Sequence, residues 1–126
     1  MPEESTISVL LVEDDKLLGE LTLEILVDAG YRAMHVEDAN QAIDLLRRER
    51  FDILLSDIVI PGGLSGIELI QQIEMTHPKT CCILTTGYAA SVALPESFKR
   101  RVIYKPYDAD TLLKTMHRLL QPSNDR

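Results

Sequence analysis

Five short apolar runs constrain this chain more than any other feature. They fall at residues 7–12, 31–36, 52–56, 80–85 and 102–104. Each is nearly continuous in apolar character instead of alternating with polar residues, as expected for strands covered on both faces of a parallel sheet. Between them lie stretches with helical spacing. Residues 16–29 put Leu18, Leu21 and Ile25 on one stripe, and Gly30 supplies the C-terminal stop. Asp38 can cap a helix that turns Ala39, Ala42, Ile43 and Leu46 inward. Residues 65–77 carry Ile67, Ile70 and Ile73 and halt before Pro78. Asp108 caps a last helix with Leu112, Leu113, Met116, Leu119 and Leu120.

Strand–helix alternation implies βαβ units, right-handed crossovers and a doubly wound α/β sheet. Between Gly87 and Arg101, Pro95 interrupts the pattern, so the fourth helix is expected to be short or irregular, split at that proline. At 126 residues the chain suits one domain, expected over residues 7–121 with tails at 1–6 and 122–126.

The function classes that composition excludes are few but useful. The net charge is −7, and the basic runs are only Arg47-Arg48 and Lys99-Arg100-Arg101. Both read as solvated faces, so direct nucleic-acid binding is not expected. No apolar stretch approaches the roughly 20 residues of a membrane helix. Residues 1–5 lack the basic and apolar regions of a signal peptide, so a cytoplasmic location is expected. Cys81 and Cys82 are adjacent. In a strand they point to opposite faces, and they read as small hydrophobes in a reducing compartment. His35, His77 and His117 show no metal-ligand spacing and read as structural or exposed. Met34, Met75 and Met116 read as core or near-core filler.

The chemistry gathers at the strand ends. Glu13-Asp14-Asp15 follows the first apolar run, Asp57 the third, Thr85-Thr86-Gly87 the fourth and Lys105-Pro106 the fifth. In a parallel sheet these ends share one edge, where doubly wound folds bind ligands. If Asp14 and Asp57 converge within about 4 Å, their repulsion is on the order of 4 kcal/mol at an effective dielectric of 20. Either a proton or a cation must then join them. Hard oxygen donors without His or Cys favour Mg²⁺. Lys105 can pair with Asp57, Thr86 supplies a hydroxyl donor, and Asp57 is the nucleophile for a phosphoryl group. Asp15 reads as a helix cap, and Gly62-Gly63 as a turn, since no Lys-Ser/Thr follows it.

Four segments in this order resemble the receiver domain of two-component response regulators. They are Val9-Leu10-Leu11-Val12-Glu13-Asp14-Asp15, Ser56-Asp57-Ile58-Val59-Ile60-Pro61-Gly62-Gly63, Leu84-Thr85-Thr86-Gly87-Tyr88-Ala89 and Tyr104-Lys105-Pro106-Tyr107. The resemblance implies a three-layer flavodoxin-like (βα)5 fold with sheet order 2-1-3-4-5. It implies that Asp57 is the phosphoacceptor, that Asp14, Asp57 and the Val59 backbone carbonyl bind Mg²⁺, and that Glu13 acts through water. Thr86 donates to the phosphoryl group, Lys105 forms the ion pair, and Pro106, often cis in this family, sets the lysine's angle. The implied donor is a histidine kinase or histidine phosphotransfer protein, and the output goes to a partner protein. The chain is thus expected to be a signalling switch that assists its own phosphorylation and dephosphorylation, not an enzyme.

Some features depart from the family pattern. The loop after Asp57 is one residue longer than the commonest form, and its double glycine resembles receivers linked to hybrid kinases. The position three residues before Lys105, usually aromatic, is Val102, and the segment 86–105 is short. Tyr104 shares a strand face with Val102 but does not inherit its role. Two rival readings stand beside the receiver: a Mg²⁺-dependent phosphatase with an aspartyl nucleophile, and a receiver-like module that binds partners without phosphorylation. The phosphatase reading lacks the usual second Asp two residues after the nucleophile, where Val59 stands.

Overall fold

A computed structural model describes residues 6–87 and 94–121. Its strands are β1 (Ser8–Val12), β2 (Arg32–Val36), β3 (Ile53–Asp57), β4 (Cys81–Thr86) and β5 (Val102–Tyr104). Four helices alternate with them: α1 (Lys16–Asp28), α2 (Ala39–Arg48), α3 (Gly66–Thr76) and α4 (Ala109–Leu120). All strand pairs are parallel, in the order β2-β1-β3-β4-β5. A short 3-10 turn at Glu96–Phe98 follows Pro95 before β5. The expectation of a split fourth helix otherwise falls on residues 88–93, outside the described residues, as do the tails at 1–5 and 122–126.

Side-chain parity divides the interior into two layers. Leu10, Val12, Leu54, Cys82 and Leu84 face Ala42, Leu46, Leu69, Ile70 and Ile73 of α2 and α3. Val9, Leu11, Ile53, Leu55 and Ile83 face Leu26 of α1 and Leu112 and Met116 of α4. Adjacent residues of β1, β3 and β4 therefore serve opposite cores, which is why the middle of each strand is apolar on both faces. Cys81 and Cys82 divide in the same way. Burial pushes the Cys82 thiol up to about 12.

The helix caps follow the sequence closely. Asp15, Asp38 and Asp108 each accept a hydrogen bond from a backbone N–H three residues on, and Ser65 with Glu68 forms a capping box. Gly30, Gly62 and Gly63 adopt positive φ, as a helix stop and a turn require.

Several expectations need correction. The buried face of α1 is Gly19, Thr22 and Leu26, while Leu21 is exposed. In α3, Leu69 joins Ile70 and Ile73 in the core, and Ile67 is only half-buried. Met34 and Met75 lie on the surface, Met75 being 85% exposed. Arg101 is not on a solvated face. It donates to the Glu74 carboxylate (2.6 Å) and to the Cys82 and Ser97 carbonyls, and it lies 4.5 Å from the Phe98 ring centroid. The start of β5 is thereby tied to α3.

Candidate functional site

β1, β3, β4 and β5 end on one edge of the sheet, and each carries a polar group out of the apolar interior. Glu13 continues the β1–β2 ladder, its N–H donating to the Val36 carbonyl at 3.0 Å. Asp57 closes β3, paired in register with Thr85. The Ile58 N–H returns to the Thr85 carbonyl, and the Lys105 N–H donates to the Thr86 carbonyl at 2.8 Å. Backbone hydrogen bonds thus fix these positions independently of the side-chain contacts.

Lys105 is the centre of the side-chain network. Its Nζ donates to Glu13 Oε1 and to Asp57 Oδ2, both at 2.8 Å. Both carboxylates are largely buried. Burial alone would lower the lysine pKa, but its hydrogen bonds to Asp57 and Glu13 hold it above the ordinary value. The other Glu13 oxygen accepts the Asp15 N–H at 3.0 Å. Asp14 is exposed, yet Glu13, Asp14 and Asp57 each offer an oxygen within 4.8 Å of the others. Three hard carboxylate donors facing one ammonium carry excess negative charge, a donor set that fits Mg²⁺.

The cleft over this edge encloses about 520 Å³ and is lined by Leu18, Asp57, Val59, Thr86, Gly87, Lys105, Pro106 and Tyr107. Thr86 is buried at the end of β4. Lys105–Pro106 is a cis peptide, as the family resemblance implied. Tyr107 shares a 2.8 Å hydrogen bond with Thr22 of α1. Burial raises the Tyr107 hydroxyl pKa, against the lowering effect of that bond. Beneath the site, Gly66 opens α3 against the backbone of Asp57. A Cβ there would lie 2.0 Å from the Asp57 carbonyl oxygen. On β5, Tyr104 pairs with Thr86 and is exposed, while Val102 is half-buried against the α2–α3 core.

Asp14, Asp57, Val59, Thr86 and Lys105, all expected at this edge, line the cleft or the acidic cluster. The direct Glu13–Lys105 pair, which joins residues 92 apart in the chain, was not expected from the sequence.

The molecule is thus a five-stranded parallel α/β sandwich with an acidic strand-end edge and a cis Lys-Pro after β5. The sequence model of the response regulator receiver domain matches residues 9–117, and the chain belongs to that family, a family of two-component signalling switches whose acidic residues bind Mg²⁺. The chain is 32% identical over 115 residues to the response regulator receiver protein CpdR of Brucella abortus, covering 89% of this chain and 95% of CpdR. It is 33% identical over 113 residues to the response regulator protein FleR of Pseudomonas aeruginosa, covering 87% of this chain but only 24% of FleR. The solved chemotaxis protein CheY4 of Vibrio cholerae superposes with a TM-score of 0.78 at 27% identity, covering 91% of this chain and 99% of that one. No helix among the described residues is long and apolar enough to cross a membrane.

Proposed function

We propose that this receiver domain, spanning residues 7–121, takes a phosphoryl group onto Asp57 from a partner phosphohistidine and passes the change to an output partner. The observation that carries the reading is the Lys105 ammonium, 2.8 Å from both Asp57 and Glu13 at a strand-end cleft. Asp14, Asp57 and the Val59 carbonyl are the proposed Mg²⁺ ligands, with Glu13 acting through water. Bound Mg²⁺ supplies charge neutralisation for the carboxylates and for phosphoryl oxygens.

In the proposed step an Asp57 oxygen attacks phosphorus and the P–N bond of the donor breaks. The imidazole nitrogen takes up one proton from solvent as the bond breaks, and the ring leaves neutral. Lys105 pairs with Asp57 beforehand and with a phosphoryl oxygen afterwards. The Thr86 hydroxyl donates to another phosphoryl oxygen. The new charge then biases a two-state equilibrium in the loops after β3, β4 and β5. The donor would be a histidine kinase or histidine phosphotransfer protein, meeting this domain in the cytoplasm.

The test is incubation with Mg²⁺ and acetyl phosphate, read by intact mass. One added phosphoryl group is expected on the unmodified chain and none on Asp57→Asn. Label that persists in Asp57→Asn removes the assignment. Steady turnover of a free phosphoester would favour the phosphatase reading, although apolar, exposed Val59 supplies no acid two residues after Asp57.

A further inference from the structure

The acidic loop after β1 is held from behind by a histidine. β1 and β2 pair up to Val12 and Val36. Beyond that register the Glu13 carbonyl takes its hydrogen bond from a side chain, His35 Nε2, at 2.7 Å. A carbonyl only accepts, so Nε2 carries the hydrogen. The ring occupies space that one residue leaves free. A Cβ on Gly19 would lie 2.2 Å from His35 Cε1 and 2.3 Å from Nε2. Gly19 is buried within α1, where glycine costs about 1 kcal/mol relative to alanine, so its presence there needs a steric reason.

We infer that His35, admitted by Gly19, is a positioning residue that fixes the Glu13–Asp14 peptide and so sets the affinity of the acidic cluster for Mg²⁺. The inference rests on the proposed Mg²⁺-assisted function. The bond pins the peptide between two members of the cluster. One carboxylate of that pair is already tied to Lys105 and to the Asp15 N–H, so Asp14 is the member that this peptide orients. Partners that orient metal ligands commonly change affinity about 10- to 100-fold when lost.

The test titrates Mg²⁺ by calorimetry into the full chain and into His35→Phe, His35→Gln and Gly19→Ala, with urea melts on each. Phe keeps the ring volume without the donor, and Gln keeps a donor. His35→Phe and Gly19→Ala should each weaken Mg²⁺ about tenfold, the lower end of that range. The double variant should be no weaker than His35→Phe, because both changes break one bond. His35→Gln should recover part of the loss. In Mg²⁺-free protein, the Asp14 and Asp15 amide resonances should already be displaced in His35→Phe and in Gly19→Ala. Folded His35→Phe with Mg²⁺ affinity within twofold of the unmodified chain, and unmoved amides, overturns the inference. If His35→Phe does not fold, Gly19→Ala decides by the same two readouts. Absence of Mg²⁺ binding by the unmodified chain overturns the proposed function itself, a distinguishable result.

Discussion

Replacing Lys105 with methionine keeps most of the side-chain volume and removes the only cation that bonds Glu13 and Asp57 among the described residues. Each contact lies at 2.8 Å. At an effective dielectric of 20 each corresponds to a gross attraction of about 6 kcal/mol. The carboxylate oxygens of the cluster lie within 4.8 Å of one another. Their unshielded repulsion is then at least about 3.5 kcal/mol per pair by the same reckoning. Desolvation of the ammonium offsets much of the gross attraction, and breaking a buried pair costs about 3–5 kcal/mol in practice. We expect Lys105→Met to lose about 3 kcal/mol at pH 8 in EDTA, a large share of a domain's typical 5–15 kcal/mol. The assay is urea unfolding, where this equals a midpoint shift of about 2 M for a slope near 1.5 kcal/mol per molar. The deficit should shrink on adding Mg²⁺. Asp57→Asn loses one attraction but relieves two repulsions, so it should stay within about 1 kcal/mol of the parent in EDTA. An unchanged midpoint for Lys105→Met in EDTA at pH 8 would refute this account of the site.

Other outcomes follow from single contacts. Gly66→Ala drives a Cβ to 2.0 Å from the Asp57 carbonyl oxygen; backbone must move, so urea melts should show a loss of about 1–3 kcal/mol, with slower labelling of Asp57. The Cys82 thiol, raised by burial to about 12, contributes stability that is complete below its ordinary value of 9.0 and is lost as pH climbs from there through 12. Melts between pH 9 and 10 should decline by up to about 1.4 kcal/mol per pH unit, and Cys82→Ala should flatten that slope. Arg101→Lys cannot make the Nε and Nη1 contacts together, so it should lose about 1–2 kcal/mol by thermal or urea unfolding while leaving acetyl phosphate labelling intact.

The legible parts were those written in local chemistry. Continuous apolar strands announced a sheet covered on both faces, and Asp15, Asp38, Ser65 and Asp108 marked helix starts within a residue. The strand ends placed Asp57, Thr86 and Lys105 on one edge, because a parallel sheet leaves no other choice. What escaped was tertiary. The α1 stripe was set one residue astray because its contact face uses Gly19 and Thr22, small residues that apolar periodicity does not count. Met75 has the composition of a core residue but sits on the outer face of α3. Arg101 looked like part of a charged run, yet its guanidinium is held by Glu74, two carbonyls and a ring. Nothing near Glu13 in sequence signals Lys105, since only the assembled sheet brings them together.

The sheet order gives the site two mechanically unequal halves. Glu13 and Asp57 hang from β1 and β3, strands flanked on both sides. Lys105 follows β5, three residues long at the margin, held laterally by β4 alone. Marginal segments open at a lower free energy than the interior, in sub-global excursions that leave the rest folded. We therefore expect the cation to withdraw more readily than the carboxylates, which would give compliance in this molecule a direction. Among the strands that bear the site, amide exchange should be fastest from Val102 to Tyr104 and slowest in β1 and β3.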